Sequence, residues 1–82
     1  MATRAAASEA SAMIALRAGE LSAFRAAVIA CALPHERERC ERLLGQVASL
    51  EARADGHAAE LRFAPSAGSV ALARRALAHL RA

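Results

Sequence analysis

Between Pro34 and Pro65, residues Cys40, Leu43, Val47, Leu50, Ala54, His57 and Leu61 recur at alternating spacings of three and four. That is the a/d rhythm of a helix that buries a seam along one side. It predicts a helix over residues 35–62. Pro34 suits the start of that helix and ends whatever precedes it. Glu38 and Arg42 stand four apart in the favourable order. Gly45 and Gly56 fall at outer positions, and Gly56, beside Asp55, is the expected fraying point.

The seam is not that of a free two-stranded coil. With Cys40 at a, the cross-chain g-to-e pairs are Arg39–Leu44, Gln46–Glu51 and Arg53–Ala58, and none joins opposite charges. Leu44 and Ala58 instead widen the stripe, as in a globular bundle. Residues 5–33 read as another helix, capped by Thr3 or Ser8, with Glu9 in its first turn. Ala10, Ile14, Leu21, Phe24, Val28 and Cys31 keep one register there. Gly19 either sits inside this helix, at about 1 kcal/mol relative to Ala, or breaks it in two. Continuity is favoured, because Gly19 has no second turn residue beside it.

Residues 63–69 read as a loop, and Ser69 suits the N-cap of a last helix over 70–81. The short loop predicts an antiparallel hairpin of the last two helices. The expected fold is all-α: a single domain over 1–82, forming a small three-helix bundle, or a helical hairpin with an N-terminal helix kinked at Gly19. No internal repeat is visible.

A chain of 82 residues buries a modest core, and 25 of these are alanine, which buries little area. Phe24 and Phe63 are the only aromatic residues. Added burial against a protein partner, or in a homo-oligomer, is therefore expected. All 11 basic residues are Arg; this bias, with the abundant Ala, suits a GC-rich bacterial genome. The formal charge of +3 divides into +1 over residues 1–33, −2 over 34–60 and +4 over 61–82. Arg62, Arg74, Arg75 and Arg81 form that basic end. Either they complement a helix dipole, or they meet an anionic partner such as nucleic acid.

Two cysteines do not make a disulfide framework, which points to a reducing, cytoplasmic setting. No stretch approaches the roughly 18 apolar residues of a membrane span. The first residues weakly resemble a transit peptide, but Glu9 and the scarcity of Arg there argue against one. Cys31, His35, Cys40 and His57 are the one candidate metal set. Their spacing matches no CxxC knuckle, and a continuous helix would put His57 about 25 Å from Cys40. No metal or cofactor is expected. No Gly-rich loop, oxyanion motif or paired carboxylates accompany the thiols, so no catalytic residue is assigned.

Residues 16–45 open Leu16-Arg17-Ala18-Gly19-Glu20-Leu21-Ser22-Ala23-Phe24-Arg25 and pass through Pro34 to Arg42-Leu43-Leu44-Gly45. This resembles the opening of region 2 in extracytoplasmic-function sigma factors, where Gly-Asp-x-x-Ala-Phe precedes a Pro and a Leu-Leu-Gly. The match covers about a third of the chain and needs one inserted residue. The acidic and aromatic positions that contact polymerase and melt promoters in that family are absent here, so it assigns no site. The leading expectation is a non-catalytic helical interaction module: an adaptor, inhibitor or small chaperone-like subunit. It would pack Phe24, Val28, Leu43, Val47, Leu50, Leu61, Leu77 and Leu80 against itself or a partner. A small basic nucleic-acid-binding protein is the alternative.

Overall fold

The computed structural model describes residues 13–54 and 59–82. Three helices supply most of this structure: α1 (Leu21–Cys31), α2 (Arg37–Arg53) and α3 (Val70–Leu80). They pack together as a small three-helix bundle. α1 meets α3 most extensively and α2 next, while α2 and α3 touch little. Two short strands, β1 (Ile14–Leu16) and β2 (Leu61–Phe63), pair antiparallel with Ile14 opposite Phe63 and Leu16 opposite Leu61.

The ribbon corrects two expectations. A continuous helix over 5–33 does not form: residues 14–16 are strand, Ala18–Glu20 is a 3-10 turn, and α1 begins at Leu21. The physical reason is the period-two pattern of Ile14 and Leu16, both buried, which a strand satisfies by alternation. Glu20 then starts the helix, accepting a hydrogen bond from the Arg17 N–H at 2.9 Å. Nor does the second helix reach residue 62. Cys40, Leu43, Val47 and Leu50 follow the seam, but Ala54 turns extended (φ −78°, ψ 104°) and Leu61 joins β2. The proposed caps at Thr3 and Ser8, with Glu9, Ala10, Asp55, Gly56, His57 and Ala58, lie outside the described residues.

The expected antiparallel hairpin of the last two helices is also corrected. Once α2 ends at Arg53, residues 54–69 intervene, and β2 carries the chain across to β1 before α3 begins. α3 itself starts and ends where its spacing predicts. Ser69 stands at its N-cap, yet its hydroxyl donates to the Arg39 carbonyl oxygen at 3.4 Å instead of capping α3.

The chain thus holds two strand–turn–helix units, 14–31 and 61–80, with α2 between them. Their turns read Ala18-Gly19-Glu20 and Ala67-Gly68-Ser69, and each leads into an 11-residue helix. Their strands pair and their helices pack. Phe24, Leu16, Leu43, Leu50, Leu72, Val28 and Val47 are fully buried between them. Phe24 stands edge-on to Phe63, with ring centroids 6.1 Å apart, and so ties α1 to β2. Truncating this ring, in Phe24→Ala, is expected to cost about 3–5 kcal/mol. Small domains hold about 5–15 kcal/mol in all. Urea denaturation followed by circular dichroism should therefore show a variant largely unfolded in water or melting far below the wild type.

Candidate functional site

Both α1 and α2 are entered through the same device. Glu20 and Glu36 each stand third in a 3-10 turn and reach back to the backbone N–H three residues earlier. Glu36 Oε1 accepts from Leu33 N–H at 3.0 Å, and the Glu36 N–H donates to the Leu33 carbonyl oxygen at 2.8 Å. α3 then grips both turns. The Nη2 of Arg75 lies 2.5 Å from each Glu36 carboxylate oxygen, and that of Arg81 lies 3.5 Å from Glu20. Arg39 adds a longer contact to Glu36 at 3.9 Å. Glu36 is only 4% exposed.

The Arg75 hydrogen bond, then the Leu33 N–H, hold the Glu36 carboxyl below the usual glutamate value. The Arg17 N–H, and then the charge of Arg81, do the same for Glu20.

These pairs change the reading of the basic end. Arg75 and Arg81 are engaged by Glu36 and Glu20, and Arg62 donates to Glu60 at 2.9 Å. Of the four arginines at that end, Arg74 alone makes no ion pair with another described residue. The +4 segment is thus balanced in space by acids from other parts of the chain.

An open polar cleft of about 440 Å³ lies beside the ribbon, lined by Ala15, Arg17, Glu20, Glu60 and Arg81. Arg81 crosses it, donating to the Ala15 carbonyl oxygen at 3.1 Å. Its acids and bases largely answer one another.

The apolar residues assigned to partner binding fall in the chain's own interior. Phe24, Val28, Leu43, Val47 and Leu50 are buried, and Leu61, Leu77 and Leu80 are half-buried against the same core. The other side of α1 faces water. There Ser22, Ala23, Ala26, Ile29 and Ala30 are exposed, with Ile29 at 59%; Leu33, at 44%, follows in extended backbone beyond the helix end, and Met13, before β1, is exposed at 61%. No charged residue occurs from Ala26 through Pro34. Arg25, on the flank of this face, pairs with Glu51 of α2. The exposed side of α2 carries Arg37, Glu38, Arg39, Glu41 and Arg42 in its first half, and Gly45, Ala48, Ser49 and Ala52 in its second.

Sequence reasoning missed the α1 face because it sought the large apolar residues and found the core. The available signal was the charge-free run between Arg25 and His35 in a chain otherwise dense in charge.

Among the described residues, no three His, Cys, Asp or Glu side chains converge as metal ligands, and His57 lies outside them. The Cys31 thiol donates to the Arg75 carbonyl oxygen at 3.9 Å. Burial, helped by the charges of Glu41 and Glu36, pushes the Cys40 thiol up, so it keeps its proton at neutral pH. Among the described residues, no helix is long and apolar enough to cross a membrane. No family model matches the chain, and no curated protein or solved structure shows significant similarity to it.

The lowered Glu36 carboxyl has a pH consequence. Its folded value lies below the ordinary 4.5, so in the window beneath 4.5 the unfolded chain binds more protons. The contribution of Glu36 is therefore full above about 4.5 and is lost as pH falls toward its folded value. Thermal melts from neutral pH down to about 3 should show this loss in the wild type. Glu36→Gln should melt lower at neutral pH and lose less on acidification, with Glu20 supplying the remaining slope.

Proposed function

We propose that the chain is a non-catalytic helical module that binds protein through the outer face of α1. One observation carries this reading. A surface helix ordinarily turns charged and polar residues to water, yet the outer side of α1 presents Ile29, Ser22 and three alanines, with Leu33 exposed just beyond its end, and its one charged residue, Arg25, is paired with Glu51. Large exposed apolar residues grouped on one face mark contact surfaces. α2, of the same small domain, shows that the chain supplies charge where a helix faces water.

A cytoplasmic bacterial setting accords with the two free thiols and the Arg-only basic composition. The nucleic-acid alternative draws less support, because Arg62, Arg75 and Arg81 are each occupied by a glutamate. The Cys40 thiol, pushed up by burial, favours a packing role over a nucleophilic one.

Site-specific photocrosslinking in expressing cells tests the proposal. A photoreactive residue replacing Ile29 should give a discrete protein adduct, and the same residue replacing Arg42 on α2 should give none. Absence of any protein adduct at Ile29, or equal adducts at both positions, would overturn the reading.

A further inference from the structure

A two-stranded ribbon has two open edges, and each offers backbone groups to which a further strand can add. Which groups face outward here follows from what their neighbours already hold. In an antiparallel ladder, opposite residues alternate between pairs that exchange both backbone hydrogen bonds and pairs that exchange none. If Ala15 and Arg62 were a bonded pair, the next bonded pair would join Arg17 to Glu60. Both backbone groups of Arg17 are taken instead by Glu20: its N–H donates to the Glu20 carboxylate at 2.9 Å, and its carbonyl oxygen accepts from the Glu20 N–H at 2.8 Å. The bonded pairs are therefore Ile14–Phe63 and Leu16–Leu61. Ala15 and Arg62 turn their backbone groups away from the partner strand.

Each edge is met by one side chain from a helix. At β1, the Arg81 Nη2 donates to the outward Ala15 carbonyl oxygen at 3.1 Å. At β2, the Gln46 Nε2 of α2 donates to the carbonyl oxygen of Ala64 at 3.1 Å. Ala64 follows Phe63 and shares the outward parity of Arg62. Pro65, next in the chain, has no N–H to offer a strand.

The Gln46 contact is not what packing alone would select. Its Oε1 is buried without a partner, so an apolar side chain of similar length would leave no polar atom unsatisfied there. What the amide achieves is the occupation of Ala64. Arg81 is comparable, since its approach to Glu20 is the longer of its two contacts, at 3.5 Å.

We propose that Arg81 and Gln46 are edge guards, which occupy the outward carbonyls of the ribbon and keep the ribbon of a second copy from adding to it. With three residues in each strand, one side chain suffices for each edge. The two edges then govern different assemblies. Opening one lets two copies pair edge to edge about a two-fold and stop, whereas opening both lets strands add without closure. The device stands apart from the outer face of α1 and does not depend on its role.

Sedimentation velocity at about 1 mM, where contacts of few hydrogen bonds become populated, tests the guards. Arg81→Met and Gln46→Met should each move toward twice the wild-type mass, and the double variant should grow beyond that. Glu20→Gln removes the charge facing Arg81 but leaves the guanidinium on Ala15, so it should keep the wild-type mass. That comparison separates an opened edge from a weakened ion pair. Ala15→Pro removes the outward N–H, which an edge strand tolerates. Alone it should keep wild-type circular dichroism and melting, and added to Arg81→Met it should restore the wild-type mass.

An Arg81→Met or Gln46→Met protein that keeps the wild-type mass would overturn the proposal, and so would a double variant that stops at two chains. Equal association of Glu20→Gln and Arg81→Met would do the same. So would an Ala15→Pro that unfolds the chain or leaves the association of Arg81→Met intact.

Discussion

The bundle depends on two glutamates that each do two things. Glu20 and Glu36 satisfy the backbone at the entrances of α1 and α2, and each then accepts an arginine from α3. None of the pieces stands well alone. Helices of 11 residues are marginal in water, and so is a lone two-stranded ribbon. Apolar contact brings the three helices together, but it is tolerant of sliding. A guanidinium held against a buried carboxylate is not, because displacing it strands a charge away from water. Arg75, midway along α3 and held against the buried Glu36, therefore sets the position of α3 along its neighbours, and Arg81, at its end, adds a longer, more exposed contact to Glu20. One helix holds two turns, and each turn fixes the start of another helix.

The helical part of this arrangement was legible because its signals are local. Leu43, Val47 and Leu50 announce α2 by spacing, and Val70, Ala73 and Leu77 announce α3. The ribbon was not legible for the opposite reason. Ile14 and Leu16 are buried by alternation, but Ile14 also falls in register with Leu21 and Phe24 for a helix, and three residues are too few to separate the two periods. The deciding fact is the pairing of Ile14 with Phe63, far along the chain. Leu61 likewise fits a seam position of α2 until β1 claims it. The exposed apolar side of α1 was harder still. A stripe of large apolar residues identifies what is buried without saying by what. Only when Phe24 and Val28 are seen to be covered by the chain itself does the opposite side of α1 stand out.

Charge gave a similar lesson about sequence and space. The +4 of residues 61–82 is a property of the linear chain. In the fold, Glu36 from the acidic middle and Glu20 from the first third come to Arg75 and Arg81, while Arg62 pairs with Glu60 two residues away. The segment that reads as a basic patch is thus a set of cross-links, and its electrostatic reach falls accordingly. Within α3 itself, Arg75 turns to Glu36 while Leu72, Ala73 and Ala76, on the buried side, fill the core.

Alanine lines both sides of α1, and the two sides differ in what accompanies it. On the inner side, Ala27 meets a helix that offers Ala73 and Ala76, and small residues let the axes approach closely. That contact is permanent because Phe24, Val28 and Leu72 add area and the Glu20–Arg81 and Glu36–Arg75 pairs fix it. On the outer side, Ala23, Ala26 and Ala30 stand exposed, and only Ile29, with Leu33 just beyond the helix end, adds apolar area. At roughly 25 cal/mol per Å² of apolar area, two half-exposed side chains cannot match a filled core. The difference between the covered and the exposed face of one short helix is therefore set by the few large and charged residues beside the alanines, and the alanines themselves fit either.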